Sequence, residues 1–183
     1  VGAGSHNQIF DALEESAKEA RDTAAGLTGL REARSAIQGG AITGAGADQR
    51  LALQKVGALV GVADPSKITN TETFRAAIAP QVAAVLKSTV GTANISNTDR
   101  EFAEKAAGGS ITLDEKSITR LMDIMERASV GKLEAHQKKV DKIYSDPEKF
   151  GRERALFGVD MPAAPMPQTA KPKVDLKKKY GLD

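Results

Sequence analysis

The sequence contains no cysteine and no tryptophan, and its aromatic side chains amount to five Phe and two Tyr in 183 residues. The first absence excludes disulfides, thiol nucleophiles and Cys-ligated zinc, and leaves the redox compartment open. The second removes large anchors, so burial must come from Ala and aliphatic side chains that each hide little area. A thin, Ala-rich core of that kind suits an elongated helical bundle, or a subunit that completes its burial against partners. An excess of one charge is missing too. Lys and Arg number 26 against 24 Asp and Glu, and the net +2 gives no general pull toward nucleic acid or membrane. No run of about 18 apolar residues is present, so no membrane-spanning segment is expected. Val1 to Phe10 lacks the basic start and apolar run of a secretory signal. A start at Val1 fits a processed chain or one segment of a longer polypeptide.

What the sequence does have is helical periodicity. Ile9, Phe10, Leu13, Ala17, Ala20 and Ala24 recur at three- and four-residue spacing, which predicts an amphipathic helix over 7–23 with Ser5 able to cap it. Gly26 and Gly29 should weaken it before a second stretch, Leu30 to Ile37. Gly39 to Gly46 then holds four glycines in eight residues and reads as a linker. Leu51, Leu53, Val56, Leu59 and Val60 mark the next helix. Thr71 can cap another, which buries Phe74, Ile78, Val82, Val85 and Leu86 and should bend at Pro80. Ser96-Asn97-Thr98-Asp99 and Thr112-Leu113-Asp114-Glu115 have the form of capping boxes. The second opens the longest pattern, Ile118, Leu121, Met122, Met125, Ala128, Leu133, His136, Val140 and Ile143, with Gly131 as a point of interruption. Asp146-Pro147 can start one more turn, reaching Leu156. The predicted class is all-α: an elongated helical bundle with one long or kinked C-terminal helix and a disordered basic tail. The predicted division is an N-terminal helical segment at 1–38, the Gly-rich linker at 39–46, a helical domain at 47–158 and a Pro/Lys-rich tail at 159–183.

Motifs that would carry chemistry fail one by one. The glycines of Gly39 to Gly46 are followed by no Lys-Ser or Lys-Thr, so the phosphate-loop reading gives way to a helix-breaking linker. His6 and His136 are the only imidazoles, and neither sits in a ligand-spaced set, so no metal is expected and His136 reads as a core-edge histidine. Asp99, Glu101, Glu104, Asp114 and Glu115 lie at helix N-termini, where the helix dipole and capping already account for them. No catalytic residue and no cofactor is predicted. The tail from Met161 to Asp183 carries five lysines against two aspartates, a local charge of +3. Lys171, Lys173, Lys177, Lys178 and Lys179, interleaved with Val174, Tyr180 and Leu182, form a candidate docking segment, since a purely solubilising tail needs no apolar anchors.

The run Asn94-Ile95-Ser96-Asn97-Thr98-Asp99-Arg100-Glu101-Phe102, with Ala106-Ala107-Gly108-Gly109 and Leu113-Asp114-Glu115-Lys116-Ser117-Ile118, resembles a helical region of large virion-associated proteins of tailed bacteriophages and prophages. Those are proteins placed with the internal or DNA-ejection components. The likeness extends more loosely over Gly39 to Gln137, including Gly44 to Ala47 and the Gly61-to-Thr71 turn. It implies a multi-copy, non-enzymatic protein of the virion, partnered by portal, tail or internal proteins and by further copies of itself. This chain is short for an ejection protein and has no lytic transglycosylase pattern, so peptidoglycan cleavage is not implied. The alternative is a helical adaptor of the bacterial cytoplasm whose Lys-rich tail contacts nucleic acid.

Overall fold

A computed structural model of the chain describes residues 3–40, 46–88 and 94–163. Among these residues there are six α-helices and one short 3-10 turn, and no strand, so the all-α class holds. The helices are α1 (Ala3–Gln38), α2 (Ala47–Leu59), α3 (Thr71–Ser88), α4 (Asn97–Gly108), α5 (Glu115–Ile143) and α6 (Gly151–Phe157), with the turn at Pro65–Lys67 between α2 and α3. Most of the Gly-rich linker, residues 41–45, and all of the tail from residue 164 lie outside the described residues.

The first correction concerns α1, which is one helix of 36 residues and not two stretches split at Gly26 and Gly29. Its length is about 54 Å at 1.5 Å per residue. Gly29 is retained for packing: a Cβ there would lie 2.5 Å from the Leu59 carbonyl oxygen, because α2 crosses α1 backbone to backbone at that point. Ser5 lies inside α1 and not before it. In α5 the helix likewise runs unbroken through Gly131, where the Asn94 side chain occupies the space a Cβ would need, 2.8 Å from its Nδ2. α3 continues through Pro80 as a single helix, with Pro80 and Ala76 on its exposed side where water can reach the freed carbonyl.

The caps are partly as expected. Ser96 caps α4, its hydroxyl oxygen accepting from the Asp99 backbone N–H at 3.1 Å. α4 ends at Gly109, whose φ of 80° lets the Ser110 N–H reach the Lys105 carbonyl at 2.9 Å. Two other caps are displaced. α3 is capped by Asn70 and not Thr71: the Asn70 Oδ1 accepts from the Thr73 N–H at 2.8 Å, and the Thr73 hydroxyl oxygen accepts from the Asn70 N–H at 3.0 Å. α5 is capped by Asp114 and not Thr112, with Oδ1 accepting from the Ser117 N–H at 2.7 Å. In both cases a planar oxygen within one or two residues of the threonine outcompetes its hydroxyl. Asp146 organises a turn, accepting from the Glu148 and Lys149 N–H groups, and helix resumes only at Gly151.

α1 packs most extensively on α5, and the two run antiparallel: Ser16 meets His136, Glu19 meets Lys132, Arg31 meets Glu126 and Arg34 meets Asp123. α2, α3 and α4 close the other side around Leu53, Val56, Ile68, Phe74, Ile78, Leu121, Met122 and Ile124. The α5 stripe is buried from Ile118 to Val140, as its spacing predicts. Leu51 is an exception to the pattern in α2: it is 63% exposed and not in the core.

The two α1 glycines should respond in opposite ways. Gly29→Ala forces the α1–α2 crossing apart and should destabilise the fold by about 1–3 kcal/mol. A Cβ at Gly26 would meet nothing within 4 Å, and the position is exposed, so Gly26→Ala should stabilise the fold by up to about 1 kcal/mol through helix propensity alone. Urea denaturation of the two variants reads both signs, and a stabilising Gly29→Ala would contradict the crossing.

Candidate interaction surfaces

The end of α6 and the segment after it are strapped to the body through main-chain carbonyls. Arg21 Nη2 donates to the Leu156 carbonyl at 2.6 Å. The next carbonyl, Phe157, accepts from His136 Nε2 at 2.7 Å. Further on, Arg31 Nη1 donates to both Pro162 and Ala163 carbonyls, at 2.7 and 2.8 Å. Between these points Val159 packs against the buried cluster of Ala20, Leu27 and Leu133. His136 is 5% exposed, and its bond to a carbonyl places the proton on Nε2 in the neutral ring, so Nδ1 accepts from the Ser16 hydroxyl at 2.8 Å. That is the core-edge position its spacing predicts, with both ring nitrogens committed to structure.

Arg31 is 8% exposed, and its Nε also bonds Glu126 Oε1 at 2.8 Å. Glu126 Oε2 lies 2.6 Å from Arg34 Nη1, close enough to form an ion pair though not aligned for a hydrogen bond. Because Arg31 bridges α1, α5 and the strap, its loss leaves a buried carboxylate and two carbonyls short of a donor. Arg31→Ala should therefore speed limited proteolysis within residues 158–163 and lower stability by about 1–3 kcal/mol. Unchanged cleavage there would show that the strap is held by Val159 alone.

A second charged cluster joins α4 to α5. Asp99 Oδ2 accepts from Arg127 Nη1 at 3.0 Å and from the Ser96 hydroxyl at 2.8 Å, and its Oδ1 lies 3.5 Å from Arg120 Nη2. Arg120 in turn sits 4.2 Å from the centre of the Phe102 ring. The Arg127 bond first, then Ser96, hold the Asp99 carboxyl down to about 2. A carboxyl depressed in this way stabilises the fold above its unfolded value, near 3.9, and that contribution is lost as pH falls through the folded value. The α4–α5 contact should accordingly weaken between about pH 4 and pH 2, and Asp99→Asn should flatten that part of the stability profile. Thermal melts of the two proteins across this range check it; parallel profiles would remove Asp99 as the cause. Glu101 is held down by Lys105, and Asp114 by the Ser117 amide it caps. These carboxylates are committed to helix ends and ion pairs.

Four of the chain's seven Phe and Tyr residues collect at one end. Phe10 meets Phe157 edge to face at 5.1 Å, Tyr144 stacks on Phe157 at 6.0 Å, and Phe150 tilts against Tyr144 at 5.5 Å. Beneath them Leu13, Ala17 and Val140 are buried. Their neighbours are not: Ile9 is 52% exposed, Phe10 40%, Leu156 55% and Ile143 37%. Ile9, Phe10 and Ile143 belong to the stripes expected to be covered, and the correction has a geometric cause. The antiparallel register brings the end of α5 level with the second and third turns of α1, so α1 runs on past its partner and only short α6 lies alongside.

A cleft of about 490 Å³ opens between α1, α2, α3 and α5, lined by Gly26, Leu30, Leu59, Val60, Val85 and Met125. At its edge Gln81 Nε2 donates to the Gly61 carbonyl at 3.3 Å, and the buried Gln81 Oε1 has no partner among the described residues. Among the described residues, no group of three or more His, Asp or Glu side chains is placed to hold a metal ion, and no helix is long and apolar enough to cross a membrane.

The predicted docking residues, Lys171, Lys173, Val174, Lys177, Lys178, Lys179, Tyr180 and Leu182, all lie outside the described residues. The described chain ends at Ala163, which is held by Arg31. Sequence reasoning missed the exposed end and the strap. The first needed the lengths of two helices in register, and the second rests on side chains reaching main-chain carbonyls, most of them more than 100 residues away. No family model, no curated protein and no solved structure matches the chain.

Proposed function

We propose that this chain is a non-enzymatic structural component of a phage virion, internal or associated with the portal or tail, that assists genome ejection and acts through oligomerisation. One observation carries the reading: of the six large apolar side chains exposed among the described residues, four, Ile9, Phe10, Ile143 and Leu156, belong to the end where α1, α5 and α6 meet. Apolar surface grouped in this way is stabilised when a neighbour covers it. The resemblance of Asn94 to Ile118 to virion-associated proteins supplies the setting, and its implied partners are portal, tail or internal proteins and further copies of the chain. The run Lys177-Lys178-Lys179 favours a second reading, a cytoplasmic adaptor that holds phosphate backbones through its tail.

Mass spectrometry of purified particles from the phage or prophage that encodes the chain should find it there, cross-linked to a portal, tail or internal protein. Particles that lack it, together with DNA binding by the purified chain that falls steeply with salt, would reject the virion reading in favour of the adaptor.

A further inference from the structure

We infer that the hold on the strap is coupled to the charge at the start of α4, through a continuous ladder of ion pairs that crosses α5. Loss of the Asp99 charge loosens Arg31, and with it the grip on Pro162 and Ala163. The two ends do not meet: among the described residues no hydrogen bond or ion pair joins α4 to α1 or to the strap. The ladder belongs to one folded chain and needs no partner.

Its first rung is at the strap. Arg31 Nη1 holds the two carbonyls while its Nε donates to Glu126 Oε1 at 2.8 Å, so the aim of the guanidinium depends on where that carboxylate sits. The other oxygen of Glu126 lies 2.6 Å from Arg34 Nη1, and the same nitrogen donates to Asp123 Oδ1 at 3.2 Å. At Asp123 the ladder turns from α1 toward α4. Its Oδ1 faces Arg34 and its Oδ2 accepts from Arg127 Nε at 3.1 Å, one oxygen for each arginine. Arg127 makes the last step, donating through Nη1 to Asp99 Oδ2 at 3.0 Å. Asp123 stands three residues from Glu126 and four from Arg127, the spacings at which side chains on one helix are neighbours. The sign of charge alternates at every step from Arg31 to Asp99.

Each interior member is shared between two partners of opposite charge, and that sharing fixes the sign of the coupling. With Asp99 neutral, Arg127 turns wholly to Asp123 and competes there with Arg34. Arg34 falls back on Glu126 and draws it from Arg31 Nε. The strap is then held by a guanidinium with a looser anchor. The reverse effect has the same sign, because a coupling between two sites is reciprocal: losing Arg31 frees Glu126 for Arg34 and Asp123 for Arg127, which weakens the hold on Asp99. Exposure differs along the ladder. The Arg31 and Glu126 side chains are 9% and 13% exposed, against 40% and 47% for Arg127 and Asp123, so salt acts first on the middle links.

Thermolysin cleavage within residues 158–163 of the full-length protein reads the strap, with circular dichroism to establish that each variant is folded. The cleavage rate follows the population of released strap when reclosing is fast. At low salt Asp99→Asn should raise it about two- to fivefold over wild type. Ser96→Ala weakens the same helix cap without removing a charge, and should leave the strap at the wild-type rate. Asp123→Asn removes the link common to both halves, and in that background Asp99→Asn should add nothing. In about 1 M sodium chloride, where the screening length falls to about 3 Å, the difference between wild type and Asp99→Asn should shrink below about twofold. Unchanged cleavage in Asp99→Asn at low salt would overturn the inference. So would an equal rise in Ser96→Ala, which would trace the effect to a weaker α4, or a full further rise on adding Asp99→Asn to Asp123→Asn, which would route it outside the ladder. A difference that persists undiminished at high salt would remove ion pairs as its carrier.

Discussion

The antiparallel contact of α1 with α5 is the constraint from which the rest of the structure follows. It sets a register in which Leu13 stands near Val140 and Arg34 near Asp123, and that register brings Ser16 to His136 and Arg31 to Glu126. With those pairs fixed, the groove between the two helices has donors along its length, and the chain after α6 can be laid into it carbonyl by carbonyl. The same register leaves α1 longer than the surface α5 offers. Exposure of Ile9 and Phe10 is thus a by-product of unequal helix lengths and not of a break in the apolar pattern.

Contacts of this kind divide the work between helix faces. One side of α1 receives α2 so closely that only glycine fits at position 29, and another receives the strap. The outer face is left to charge. Arg31 is the residue at which these roles meet, since a single guanidinium bonds α5 through Glu126 and the strap through two carbonyls. A planar, always charged group with several donors suits such a junction better than an ammonium would, because it satisfies divergent acceptors without turning.

Much of the helix content was legible in the sequence, for physical reasons that also mark where legibility ended. The α5 stripe from Ile118 to Val140 follows from local spacing, and Ser96 and Gly109 mark the ends of α4 through short-range bonds. Gly26, Gly29 and Gly131 misled because the propensity penalty of glycine is local, while the reason to keep Gly29 and Gly131 is the approach of Leu59 and Asn94 from elsewhere in the chain. Thr71 and Thr112 misled because several nearby oxygens compete for one amide, and sequence does not rank Asn70 or Asp114 above them without geometry. Exposure at Ile9 depends on where α5 stops, and Leu51 is exposed because it lies across α2 from buried Leu53 and Val56. The proposed docking segment was legible only as composition, and it lies outside the described residues.

A strap gripped through main-chain carbonyls is indifferent to most of the side chains it carries. Arg21, His136 and Arg31 would hold many sequences of that length, provided Phe157 and Val159 keep their apolar places. The body is therefore a mount with a fixed outlet, and whatever follows Ala163 can diversify without disturbing it. A chain with the same mount would be free to change what it carries.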